Sequence, residues 1–279
     1  MGPRQKRSER VAALAALFNQ NPGRLFTLGE LGDILEASRS TLSEDLALVR
    51  EALRQYGLGE LVTIPGAAGG ARYVPSLGPA QARRVIADLC RELSDPRRLV
   101  AGGYIYMTDI IFSPEWAGRL GQVFALVLGR AAAEAAYVVT VETKGIPIAL
   151  MTARCLGLRL VVARRDLRVT EGSSVTMNYV SGSTGHIQTM SLPRRALPQG
   201  ARVVVVDDFM KAGGTLRGLG NLLGEFGAKV SAVGILTATA LPAEKLVEDY
   251  LALTVLQGVD ERRRLVSVVP GPALSNLGD

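Results

Sequence analysis

Val203-Val204-Val205-Val206-Asp207-Asp208-Phe209-Met210-Lys211-Ala212-Gly213-Gly214-Thr215 decides the fold. Four β-branched residues in a row read as a buried strand. The strand ends in two carboxylates, and a loop of small residues leads on into a helix. Such a turn aims backbone N–H groups and a helix N-terminus at an anion, which favours a phosphate. Gly213 and Gly214 let the backbone approach closely, and Thr215 adds a hydroxyl. Asp207 and Asp208 suit the vicinal hydroxyls of a ribose, which donate hydrogen bonds to ionised oxygens. One loop is therefore expected to hold a sugar and its 5′-phosphate.

Outward from this stretch the chain alternates between strand and helix. Short β-branched runs occupy residues 137–141, 159–163, 202–206, 231–236 and 250–256. Helical patterns occupy 81–93, 120–135, 148–156 and 214–226. Strands alternating with helices imply a parallel sheet flanked by helices. A second loop, Glu142-Thr143-Lys144-Gly145-Ile146-Pro147, follows the strand at 137–141 and precedes a helix. In it Lys144 brings positive charge and Gly145 close backbone approach. A long polar insert, residues 164–195, is rich in Ser, Thr and Gly and is expected to be a mobile arm over a site. Arg164 and Arg165 at its base either neutralise phosphate or are simply solvated. Tyr179 either faces a ligand or packs the arm.

The first 75 residues have a different pattern: three helices, then a hairpin. Helical spacing runs over residues 8–20, through Val11, Leu14, Leu17 and Phe18. Thr27 and Glu30 form the pattern of a capping box that opens a short helix ending near Leu35. After a tight turn a third helix begins at Ser38 or Ser40 and runs to Tyr56, with Leu42, Leu46, Val49 and Leu53 as its core stripe. Arg39, Ser40, Thr41 and Ser43 crowd its first turn. Strands at 61–64 and 71–74 flank a Gly-rich tip. Short helices across a tight turn, followed by a hairpin, describe a winged helix. Residues 75–79 read as a linker.

The chain of 279 residues is 48% hydrophobic, enough for a substantial core, and has a formal charge of +6. Positive charge attracts polyanions. Residues 1–75 hold 9 Lys/Arg against 8 Asp/Glu, so a nucleic-acid site there must work by local placement. Arg4, Lys6, Arg7 and Arg10 either lie along phosphates or form a frayed end. Cys90 and Cys155 make neither a disulfide framework nor a metal site and read as buried thiols. The sole histidine, His186, has no Cys or carboxylate partners and reads as a solvated loop residue. No run is long and apolar enough to span a bilayer, and the N-terminus lacks a signal-peptide core. The expectation is a cytoplasmic protein with no membrane attachment.

Residues 207–215 resemble the phosphoribosyl pyrophosphate (PRPP) signature of type I phosphoribosyltransferases. Phe209 and Lys211 depart from it, because smaller residues usually stand there. Taken nearly whole, the sequence is similar to the purine operon repressor family of Gram-positive bacteria, in which Phe and Lys do occupy those two positions. The likeness is carried by Ser40-Thr41-Leu42-Ser43-Glu44-Asp45-Leu46, Pro65-Gly66-Ala67-Ala68-Gly69-Gly70, Gly102-Gly103-Tyr104-Ile105-Tyr106-Met107-Thr108-Asp109-Ile110 and Lys144-Gly145-Ile146-Pro147. Val169-Thr170-Glu171-Gly172-Ser173, Asn178-Tyr179-Val180-Ser181-Gly182-Ser183, Gln188-Thr189-Met190-Ser191-Leu192 and residues 207–215 complete it.

The resemblance implies an α/β chain with a winged-helix DNA-binding domain at residues 1–75 and a type I phosphoribosyltransferase fold with a flexible arm at residues 76–279. It implies that the second domain senses PRPP without turning it over. PRPP would sit between Asp207, Asp208, Phe209, Met210, Lys211, Ala212, Gly213, Gly214 and Thr215 on one side and Thr143, Lys144 and Gly145 on the other. Tyr104, Arg164 and Tyr179 would add to the site, and Mg²⁺ would ride on the pyrophosphate. Apart from the resemblance, the two aromatics Phe209 and Tyr104 by themselves suggest a sandwich for a purine base, for which a guanine nucleotide such as the alarmone ppGpp would compete. The family acts as a homodimer that represses purine synthesis and transport genes, and PRPP weakens its hold on operator DNA. On double-stranded DNA the third helix would enter the major groove through Arg39, Ser40, Thr41 and Ser43. Arg72 and the wing glycines Gly69 and Gly70 would meet the backbone or minor groove, while Glu44 and Asp45 argue against pressing the whole helix face onto phosphates. One rival is a working purine phosphoribosyltransferase with a regulatory N-terminal cap. It needs a base-specific pocket, and no such constellation is visible. The other is a PRPP sensor acting on a protein partner.

Overall fold

The computed structural model describes residues 6–66, 69–166, 172–180 and 186–275. Arg4, Ala67, Ala68, residues 169–171, residues 181–183 and Gly185 lie outside them. The chain divides into two compact units, Met1–Gly78 with Arg154–Gly157, and Pro79–Ala153 with Leu158–Asp279.

The first unit contains α1 (Arg7–Gln20), β1 (Leu25–Thr27), α2 (Leu28–Leu35), α3 (Arg39–Gln55), β2 (Glu60–Ile64) and β3 (Gly70–Val74). Helical spacing delivers Leu14 and Phe18, Leu31 and Leu35, and Leu42, Leu46 and Val49 into one core with Phe26, Leu61, Ala71 and Tyr73. Leu53 is only partly buried. The expected hairpin gains a strand: β1 pairs antiparallel with β3, giving the order β1-β3-β2. Three residues are too short to show an alternation in sequence. Thr27 caps α2, its hydroxyl accepting from the Glu30 N–H at 3.1 Å. The Glu30 carboxylate pairs with Arg24 instead of completing the capping box.

Gly69 and Gly70 are required by the wing itself. A Cβ on Gly70 would lie 1.9 Å from the Phe26 carbonyl oxygen, and one on Gly69 2.3 Å from that of Ile64. Asp45 does not stand on the exposed face of α3. It is fully buried, and Arg10 holds it at 2.8 Å and Arg7 at 3.3 Å. Two of the basic N-terminal residues are thus committed to an internal acid. Arg50 ties α3 to β2, donating to the Leu61 carbonyl and the Thr63 hydroxyl.

The second unit continues with α4 (Pro79–Leu93), β4 (Leu99–Val100), β5 (Tyr104–Ile105), α5 (Thr108–Ile111), α6 (Pro114–Ala132), β6 (Tyr137–Val141), α7 (Gly145–Leu156) and β7 (Arg159–Ala163). Then follow β8 (Ser174–Val180), β9 (Ile187–Pro193), β10 (Arg202–Met210), α8 (Gly214–Gly224), β11 (Lys229–Thr239), β12 (Leu251–Asp260) and β13 (Leu265–Pro270). The main sheet has the order β13-β12-β11-β10-β6-β7, parallel except for the antiparallel edge strand β13. A buried hydroxyl pair, Thr237 to Thr254 at 2.9 Å, pins the register of β11 and β12. Helix α6 starts six residues before the expected 120, because Ser113 caps it and Pro114 opens it.

One expectation near the site changes. The strand does not stop at Val206: β10 carries both acids and ends at Met210, pairing with β11 as far as Ala238. Among the described residues of the polar insert, β8 and β9 pair as an antiparallel ribbon. Tyr179, Met190 and Leu192 on one face of it join the core, which gives that part of the arm a fixed seat against α8.

Removing the buried acid Asp45 tests the winged unit. Asp45→Ala leaves the guanidinium of Arg10, itself largely buried, without its carboxylate, and should cost about 3 kcal/mol. Urea unfolding followed by circular dichroism measures the loss. The double variant Arg10→Met/Asp45→Leu should recover most of it.

Candidate functional site

Topology places the site. β6 and β10 are parallel neighbours, and their crossovers diverge: α7 carries the chain out to β7 on one side, and α8 carries it to β11 on the other. In such sheets the ends of the two strands bound a crevice where ligands bind. Gly145 shows how close the two loops come. A Cβ there would lie 2.2 Å from the Thr140 hydroxyl and 2.8 Å from an Asp207 carboxylate oxygen. No side chain fits this notch. Thr140 is fully buried, and among the described residues its hydroxyl is the buried side-chain polar atom left without a hydrogen-bond partner. Buried hydroxyls are ordinarily paired.

Asp207 is 5% exposed and accepts from the Asp208 N–H at 3.0 Å. Desolvation, reinforced by the negative charge of Asp208, pushes the Asp207 carboxyl well above the usual carboxylate range. Desolvation also raises Asp208, opposed by its hydrogen bond with Asp207 and by the charges of Lys144 and Arg165. Two adjacent carboxylates thus lie at the end of β10 in surroundings that penalise their ionised form. Hydroxyl donors or cations entering the crevice would relieve that penalty. Among the described residues no group of three or more His, Cys, Asp or Glu side chains is placed to hold a metal. A divalent cation here would have to arrive with ligand oxygens.

Beyond the acids the loop turns into α8 through Gly213, whose φ of 86° is a left-handed conformation. Among the described residues no side chain caps α8, and unpaired N–H groups at a helix start can take an anion. Residues 209–211 and 213–216 line a hollow of about 50 Å³, room for a few waters. Phe209 and Thr215 are half-buried beside it, Met210 is buried and Lys211 is exposed.

Other residues singled out in the sequence are placed as follows. Thr143 and Lys144 are exposed at the tip of the β6–α7 loop. Arg164 bridges to Ser191 through its backbone and sits 3.8 Å from Glu142. Arg165, whose N–H donates to Glu142 at 2.6 Å, is the arginine whose charge acts on both acids. Tyr179 turns into the core, where a Cβ on Gly218 of α8 would lie 2.7 Å from its own Cβ. Its hydroxyl donates to Gln188 at 2.8 Å. Tyr104 is exposed on the β4–β5 hairpin, next to Gly103, which faces Glu261. Cys90 and Cys155 are buried, and burial pushes both thiols up to about 11. Sequence reasoning missed Thr140 and Glu142. Their only signal was that they flank Val141 at the end of a strand leading to a glycine loop.

In the winged unit, Arg39, Ser40 and Ser43 are exposed on the first turns of α3, and Thr41 is half-buried. Ser38 caps the helix through the Thr41 N–H, and its hydroxyl lies 2.9 Å from those of Ser40 and Thr41. The Ser43 hydroxyl donates back to the Arg39 carbonyl. Arg72 is exposed on β3.

Comparison with known proteins agrees with this architecture. Residues 6–75 match the bacterial purine repressor N-terminal domain, and residues 126–267 match the phosphoribosyl transferase domain. The chain is 40% identical over 274 residues to the purine biosynthesis transcriptional repressor PurR of Bacillus subtilis, covering 98% of this chain and 95% of that one. It is 33% identical to the purine biosynthesis transcriptional activator PurR of Lactococcus lactis, covering 95% and 97%. A shorter match, 32% over 146 residues, covers 51% of this chain and 75% of the xanthine phosphoribosyltransferase of Deinococcus deserti. Among solved structures, adenine phosphoribosyltransferase of Saccharomyces cerevisiae superposes with a TM-score of 0.52 at 21% identity, over 61% of this chain and 98% of that one. A winged unit joined to this sheet, matched over almost its whole length, makes the chain a member of the purine biosynthesis transcriptional regulator family.

Proposed function

We propose that the chain acts as a homodimer that represses purine synthesis and transport genes by binding double-stranded operator DNA, and that PRPP bound in the β6–β10 crevice releases it. The observation carrying this reading is the desolvated acid pair beside the Gly145 notch. It offers two carboxylates to the ribose hydroxyls, with an uncapped helix N-terminus for the 5′-phosphate. Thr143, Lys144 and Gly145 would hold the pyrophosphate, and Arg165 would add charge from the base of the ribbon. The residues suit a Mg²⁺ complex of PRPP, because such ions are held by one or two carboxylates together with phosphate oxygens. When bound, the ion neutralises pyrophosphate charge. Phe209 beside the hollow and Tyr104 on its hairpin would flank a purine, so a guanine nucleotide such as ppGpp would compete with PRPP. Arg39, Ser40, Thr41 and Ser43 would read base edges, while Arg72, Gly69 and Gly70 would meet the DNA backbone.

The match to a xanthine phosphoribosyltransferase favours one second reading, residual transfer of phosphoribose to a purine base. Pyrophosphate release from PRPP with each nucleobase measures it. Sustained turnover would replace the sensor reading with an enzyme.

Electrophoretic mobility of purine-promoter DNA, with and without PRPP and Mg²⁺, tests the main reading. PRPP should release wild-type protein. In Asp207→Asn and Asp208→Asn, release should need at least about tenfold more PRPP. A normal response in these variants would mean the crevice is not the effector site. Arg39→Ala should weaken operator binding by about 1–3 kcal/mol.

The same variants make a stability prediction. A carboxyl whose folded-state pKa is raised contributes stability below its unfolded pKa, and loses it as pH rises through the raised value. Above that value the ligand-free protein bears the cost of the ionised pair, which asparagine removes while its oxygen can still accept from the Asp208 N–H. Asp207→Asn should therefore melt a few degrees higher than wild type at about pH 8, the shift that about 1 kcal/mol gives a chain of this size. The difference should shrink toward about pH 4. Differential scanning calorimetry across that range reads it.

A further inference from the structure

Behind the anion-binding loop runs the segment from the end of β11 toward β12, and three of its groups grip the loop's carbonyls. The Lys245 ammonium donates to the Lys211 carbonyl at 2.6 Å, to the Thr239 carbonyl at 2.8 Å and to the Thr239 hydroxyl at 3.2 Å. The Thr239 hydroxyl lies 3.3 Å from the Lys211 carbonyl and donates to that of Leu241 at 2.6 Å. The Leu246 N–H donates to the Ala212 carbonyl at 2.8 Å. Gly213 lies alongside the same segment: a Cβ there would be in ordinary contact, 3.5 Å, with the Leu246 and Val247 nitrogens.

In a trans peptide the C=O and N–H point in opposite directions. Holding the Lys211 and Ala212 carbonyls toward this strap therefore turns the N–H groups of Ala212 and Gly213 the other way, outward beside the start of α8. The ammonium also puts a positive charge directly behind that cradle. All three of its bonds go to oxygen, and its partial burial lowers the lysine pKa, so it is a strut and not a solvated side chain.

We propose that Lys245 is a positioning residue for the anion-binding loop: by clamping the Lys211 carbonyl it orients the N–H cradle and sets affinity for the ligand's phosphate at residues 211–215. This rests on the effector reading above. It assigns Lys245 to the 5′-phosphate end, leaving the pyrophosphate end to Lys144.

Calorimetric titration of the full chain with PRPP and Mg²⁺, and separately with ribose 5-phosphate, tests it. Lys245→Met should weaken both ligands by about tenfold, the value of a charge-assisted hydrogen bond. Lys144→Ala should weaken PRPP and spare ribose 5-phosphate. Lys245→Arg, which keeps a cation, should recover part of the loss. Effector-free operator binding by Lys245→Met should equal wild type. Equal affinities in wild type and Lys245→Met, or a loss confined to PRPP, would overturn the assignment while leaving the effector site standing. If wild-type protein takes up neither ligand, the effector reading itself falls and this assignment with it. Should Lys245→Met fail to fold, Thr239→Val carries the test. It removes one acceptor of the ammonium and should weaken both ligands about threefold, and unchanged affinities there would overturn the assignment equally.

Discussion

Two neighbouring parallel strands whose crossovers leave in opposite directions create the constraint on which the rest of the second unit depends. Between β6 and β10 the space at the strand ends is too tight for a side chain at Gly145. Whatever enters must bring its own polar groups to Asp207, Asp208 and Thr140. The sheet supplies the frame: β10 carries the buried valines 203–206 and pairs with β11 as far as Met210. The loops supply donors and charge.

This arrangement is costly without a ligand. Two acids are kept from water, one hydroxyl is unpaired and a helix start is left uncapped. A ligand carrying hydroxyls and phosphates, as proposed above, would offset the cost at the acids and the helix start, the kind of differential affinity that shifts a protein between states. The ribbon is joined to the same device, because Tyr179 seats on Gly218, one turn past the loop along α8.

Much of this was legible in the chain. The valine run with its acids announced the central strand and the loop, because a buried strand running into carboxylates and glycines has few other uses. The stripe Leu42, Leu46, Val49 announced α3. What escaped was whatever depends on partners distant in sequence. Asp45 looks like a surface charge beside Glu44, and only its pairing with Arg10, 35 residues earlier, buries it. Strand β1 is too short to carry a period. Arg164 and Arg165 are indistinguishable as neighbours, and only the bridge of Arg164 to Ser191 separates their roles. Lys245 carries no motif, since its acceptors belong to backbone 34 and 6 positions away.

The buried acid of α3 has a consequence for where translation starts. The helix proposed to meet DNA borrows its counter-charge from α1, where Arg10 is turned inward and Arg7, half exposed, reaches both Asp45 and Glu44. A shorter polypeptide initiated downstream of Arg10 would keep every group thought to read bases. It would also carry an unneutralised negative charge on the inner side of the helix offered to a polyanion.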